Sequence, residues 1–140
     1  MNLTDILNQQ IANWTVLYYK FHNYHWYVKG PQFFTLHTTF EELYKEAALH
    51  IDELAERTLA LGGEPVATMT QCLALASVQE ASGNETAEQM VQATVHDFNK
   101  MIGELKIAEV VTDEITGDMF LAIRSNLEKQ LWMLHSFLGK

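Results

Sequence analysis

Apolar residues return every three or four positions along almost the whole chain, and no stretch alternates strictly, so the pattern predicts helices and no strands. Four long helices can be read. The first runs from about Leu3 to Val28, with Asn2 or Thr4 near its start and Gly30-Pro31 ending it. The second runs from about Phe34 to Leu61 on an apolar stripe of Leu36, Phe40, Leu43, Ala47, Ile51, Leu54 and Leu61, and Gly62-Gly63 stops it. Residues 64–83 form the longest connection, within which "TQCLALAS" reads as a short helix. The third long helix starts near Asn84 or Thr86, where Thr86 and Gln89 fit a capping box, and reaches about Val110. The fourth runs from about Thr112 or Thr116 to Leu138 and carries Met119, Ile123, Leu127, Leu131, Leu134 and Leu138 at helical spacing.

The short links after the first and third helices make two antiparallel hairpins. The long middle connection can cross the bundle, so that the second and third helices run parallel. The expected fold is therefore all-α: one domain over residues 1–140, a ferritin-like four-helix bundle with a short extra helix in the crossover. A plain up-down-up-down bundle is the runner-up.

The second helix also carries chemistry. His37 with Glu41 and Asp52 with Glu56 are both i, i+4 pairs, each setting two metal-type ligands one turn apart on one face. His25 lies just upstream of the Gly30-Pro31 break. Imidazoles with carboxylates suit a hard or borderline cation such as iron. At 1.5 Å per residue, His37 and Asp52 stand about 22 Å apart along a continuous helix, so no single metal centre spans them within one chain. At 100° per residue, Glu41, Asp52 and Glu56 fall about 40°, 60° and 100° from His37, so all four share one stripe at opposite ends. Two copies packed antiparallel across a twofold axis bring each end against the partner's other end and make two identical sites. Ala48 and Ala55 leave the middle of the stripe small. Lys45 falls near the stripe and is expected to lean out of it.

Composition narrows the class. The chain has 140 residues, 48% of them hydrophobic, which is enough for a real core. One cysteine, Cys72, excludes an intramolecular disulfide framework and fits a reducing compartment. No basic-then-apolar leader and no membrane-length apolar run is present, so the expected location is the cytoplasm. A net charge of −9 favours attraction of cations and counts against direct DNA binding. None of the six histidines has a glutamate three residues before it, so the Glu-x-x-His arrangement of a di-iron core inside one bundle is absent.

The segments "HWYVKG", "FFTLH", "DELAER", "LALGG" and "LWMLHSFLGK" together resemble the Dps family, the mini-ferritins, over nearly the whole chain. The resemblance implies a dodecameric hollow cage with a ferroxidase centre at each twofold. Fe(II) is oxidised there, preferably by hydrogen peroxide, and Fe(III) is stored inside. By position, His25, His37 and Glu41 match the ligands from one subunit, and Asp52 and Glu56 those from its partner. The family usually has Asp where this chain has Glu41. The lysine-rich tail of DNA-binding members is missing, and nothing basic precedes Lys20.

The remaining signals divide between structure and function. Trp26, beside His25, reads as a packing residue that is also close enough to shield iron or scavenge a radical. Phe33-Phe34 reads as a core plug. His22, His50, His96 and His135 read as structural or solvated, and Glu42, Glu46 and Glu53 as a solvated face. Glu109, Asp113, Glu114 and Asp118 cluster at the last turn. Favourable charge at a helix N-terminus explains such a cluster. In the resembled cage the same region lines threefold pores, with Glu114 and Asp118 the residues expected to draw in Fe(II).

Overall fold

The computed structural model describes all of residues 1–140. It contains five helices and no strand: α1 (Leu3–Tyr27), α2 (Phe33–Ala60), α3 (Met69–Leu75), α4 (Ala87–Ala108) and α5 (Glu114–Phe137). The chain forms two compact units, Met1–Ala87 and Glu88–Lys140.

In the first unit α1 and α2 form a hairpin. The Asn2 side chain accepts from the Asp5 N–H at 2.9 Å while the Asp5 carboxylate accepts from the Asn2 N–H, a capping box that satisfies two donors left over at a helix start. The α2 stripe buries Leu36, Phe40, Leu43, Ala47 and Leu54. Ile51 is half-buried, and Leu61, expected in the core, is 40% exposed because the helix ends at Ala60 and the stripe ends with it. Gly62 adopts φ +83°, a left-handed turn open to glycine at little cost. At Gly63 a Cβ would lie 3.0 Å from Thr4 Oγ1, so close approach to α1 also selects glycine.

The crossover is latched onto α1 by polar residues. The Asn8 amide donates to the Glu64 carbonyl and accepts from the Val66 N–H. Asn13 accepts from the Ser77 N–H at 2.7 Å, and Lys20 Nζ donates to the Gln79 carbonyl at 2.7 Å. Asn13 and Lys20 are buried among the apolar side chains of α1, where a polar group is costly unless hydrogen-bonded. Glu85 closes the segment. Its carboxylate accepts from the Ser82 and Gly83 N–H groups and from the Tyr24 hydroxyl, one residue before His25. Partial burial raises the Glu85 pKa, but these donors outweigh it and hold it at about 2.

In the second unit α4 buries Met90, Val91, Phe98, Met101 and Leu105. The α5 helix starts at the Asp113 cap, whose carboxylate accepts from the Thr116 N–H at 2.8 Å. It buries Phe120, Ile123, Leu127, Leu131 and Leu134, while Met119 and Leu138 are only half-buried.

Candidate metal centre

The end of α1 and the first turns of α2 bring two imidazoles together. His25 Nδ1 donates to the His37 carbonyl at 2.6 Å, and His37 Nδ1 donates to the His25 carbonyl at 2.7 Å. A carbonyl can only accept, so each Nδ1 carries a proton, and the neutral form of each ring has its lone pair on Nε2. The rings stack with centroids 3.7 Å apart and planes 12° apart. Such backbone anchoring fixes both tautomer and orientation, as metal-ligating histidines require. His25 is buried, Phe33 stacks on His37 at 4.9 Å, and Tyr44 meets His25 edge-on at 5.5 Å. Glu41 lies beside the pair, with one oxygen 3.9 Å from His25 Nε2. Its other oxygen accepts from Lys45 Nζ at 3.0 Å. That hydrogen bond, and then the lysine's charge, hold the Glu41 carboxyl below its ordinary range. Lys45 therefore does not lean out of the stripe, because an i, i+4 glutamate offers its ammonium a partner.

Asp52 and Glu56 lie further along the same unbroken helix of 28 residues. Both are exposed, and neither carboxylate takes part in a hydrogen bond or ion pair of its own chain. No group of three or more histidine, cysteine, aspartate or glutamate side chains that could hold a metal ion forms within one chain. The two histidines and Glu41 are thus brought together at one end of the stripe, and the two remaining carboxylates are presented at the other.

A profile of the Ferritin-like domain matches residues 4–140. The chain is 60% identical to general stress protein 20U of Bacillus subtilis, covering 98% of this chain and 97% of that protein. It is 56% identical to DNA protection during starvation protein 2 of Bacillus anthracis, over 97% of this chain and 96% of that one. The Dps structure from Bacillus brevis superposes with a TM-score of 0.96 at 55% identity, covering 96% and 93% of the two chains. This chain is a member of the Dps family. Its five helices therefore make a Dps-type ferritin-like fold with α3 in the crossover, as the periodicity and the long middle connection imply.

Among the other residues of this Dps protein, the phenylalanine pair departs from the sequence reading. Phe34 is 84% exposed and Phe33 half-buried, so the pair is no core plug: Phe33 lies against His37, and Phe34 points outward one position later on the helix. Trp26 is exposed and packs on His22 at 5.1 Å and Tyr19 at 6.4 Å. His22, fixed by its Nδ1 donating to the Tyr18 carbonyl, stacks on Tyr44 at 3.6 Å. An aromatic layer thus backs the histidine pair. The i, i+3 and i, i+4 spacing of His22, His25 and Trp26 carried its only sequence signal. Around the α4–α5 turn, Asp113 is the α5 cap and Glu109 pairs with Arg124 at 2.6 Å. Glu114 and Asp118 are exposed beside an open concavity of about 360 Å³ that Thr112, Gly117 and Leu121 also line. No helix is long and apolar enough to cross a membrane.

Proposed function

We propose that this Dps protein is a cytoplasmic ferroxidase and iron-storage cage, a dodecamer whose residues 1–140 act as one functional domain. Fe(II) is the substrate. It binds at a twofold interface to His25 and His37 of one subunit and to Asp52 and Glu56 of the partner, with Glu41 serving a second, weaker position. The observation that carries this reading is the reciprocal pair of backbone hydrogen bonds that leaves Nε2 of both histidines as lone-pair donors. Free carboxylates at the far end of the same stripe support the division between two chains.

Anionic oxygen ligands stabilise Fe(III) over Fe(II) and so favour oxidation. Two Fe(II) ions give one electron each to hydrogen peroxide. The O–O bond breaks, two protons are taken up and two waters form, so no hydroxyl radical is released. Glu114 and Asp118 draw Fe(II) towards the cage interior through electrostatic steering, and Fe(III) mineralises there. Several relatives are named for DNA protection during starvation. In a chain of net charge −9, protection through iron and peroxide chemistry fits better than coating of DNA.

The test is anaerobic Fe(II) loading followed by peroxide. Asp52→Asn/Glu56→Gln preserves size and removes two anionic ligands, so the oxidation rate should fall by roughly two orders of magnitude or more, on the scale of losing charge-stabilising groups. Glu41→Gln should cost less. Wild-type rates from the double variant, with the cage intact, would refute the assignment.

A further inference from the structure

Lys45 lies on the ligand face of α2. Eight residues on from His37, it falls about 80° around the helix, between the directions of Asp52 and Glu56. Its Nζ is 3.0 Å from one oxygen of Glu41, whose other oxygen is 3.9 Å from His25 Nε2. One carboxylate therefore spans a ligand imidazole and an ammonium. A Glu→Lys i, i+4 pair is common on helix surfaces. What sets this one apart is that its acid belongs to the histidine cluster.

Building on the ligand assignment above, we propose that Lys45 is a positioning residue that makes the two metal positions unequal. With the ammonium in place, Glu41 is already charge-compensated. A metal ion that takes Glu41 must either displace Lys45 or share the carboxylate with it, and in both cases a cation stays beside a dication. The position built on His25, His37 and the partner's carboxylates is spared this conflict. The chain then binds one divalent ion tightly and a second one weakly, the difference being set by a residue that touches neither ion.

Anaerobic Co(II) titration of the assembled protein, followed by calorimetry and by the visible bands of bound Co(II), reads both positions without any oxidation. Lys45→Met keeps the stem and removes the charge. It should tighten the second ion by on the order of tenfold, the effect of removing one unit charge near a dication in a largely solvated setting, and leave the first unchanged. Lys45→Arg keeps the charge and should behave as wild type. In a Glu41→Gln background, where Lys45 no longer competes for the carboxylate, Lys45→Met should give a clearly smaller gain. An unchanged second constant in Lys45→Met, or a gain undiminished by Glu41→Gln, overturns the proposal. Failure of the first ion to bind in wild type removes the ligand assignment itself, and the proposal with it.

Discussion

Glu85 carries no ligand role, yet it holds the crossover onto α1 one residue before His25. Glu85→Gln isolates that role. In wild type one carboxylate accepts from the Ser82 N–H (2.9 Å), the Gly83 N–H (3.0 Å) and the Tyr24 hydroxyl (2.9 Å). Glutamine has one oxygen for these three donors and turns its own N–H₂ towards the rest. The Glu85 carboxyl sits at about 2 in place of 4.5. Linkage converts that depression to a ceiling of ~3 kcal/mol. Glu85 is only part-buried and solvent screens it, so ~1–2 kcal/mol is the working figure. The sign follows from the depressed pKa. The stabilisation is complete above about 4.5 and is lost as pH falls towards about 2. Thermal or urea unfolding of wild type and Glu85→Gln, run from pH 7 down to pH 3, should show a gap at neutral pH that narrows below about 4.5. Tyr24→Phe removes one donor of the three and should cost about 0.5–1.5 kcal/mol at neutral pH. Equal stability at pH 7, or a gap that widens on acidification, would refute the reasoning.

Two further outcomes are expected. His50 is packed against Trp14 at 4.5 Å with neither ring nitrogen hydrogen-bonded, and burial lowers its pKa from 6.5 to about 4. The unfolded chain therefore binds a proton first, and wild-type stability should decline between about pH 6.5 and 4; in His50→Leu, unfolding curves over that window should flatten, and an unaltered slope would exclude the imidazole as the cause. A gel shift with duplex DNA at neutral pH and moderate salt should show no binding by the assembled protein, since each chain contributes −9; tight, salt-sensitive retardation would contradict the assignment of protection to iron chemistry.

Much of the architecture was legible because helical periodicity is a local property. Leu36, Phe40, Leu43, Ala47 and Leu54 repeat at helical spacing and are buried, and the glycine pair 62–63 marked the stop. The same periodicity put His37, Glu41, Asp52 and Glu56 on one stripe of a helix that proves continuous. What escaped depends on residues far apart in sequence. Asn13 and Lys20 look like ordinary polar positions of α1 until the Ser77 and Gln79 backbone meets them. The exchange of hydrogen bonds between His25 and His37 joins two helices across a turn, so no spacing rule announces it. Phe34 shows the opposite error: aromatic character alone suggested burial, but its position on α2 faces away from the unit's core.

The central claim is that each metal centre is shared between two chains, and one mixing experiment addresses it most directly. His25→Ala/His37→Ala removes one half of both sites in a homodimer, and Asp52→Asn/Glu56→Gln removes the other half. Each variant alone should be inactive in peroxide-driven Fe(II) oxidation. A heterodimer of the two has one site with every ligand intact and one with none of the four. Dissociated, mixed in equal amounts and reassembled, with reassembly verified by mass, the two inactive proteins should recover about a quarter of wild-type activity if subunits pair at random across each twofold interface. A reassembled mixture as inactive as its components would contradict the division of ligands between chains.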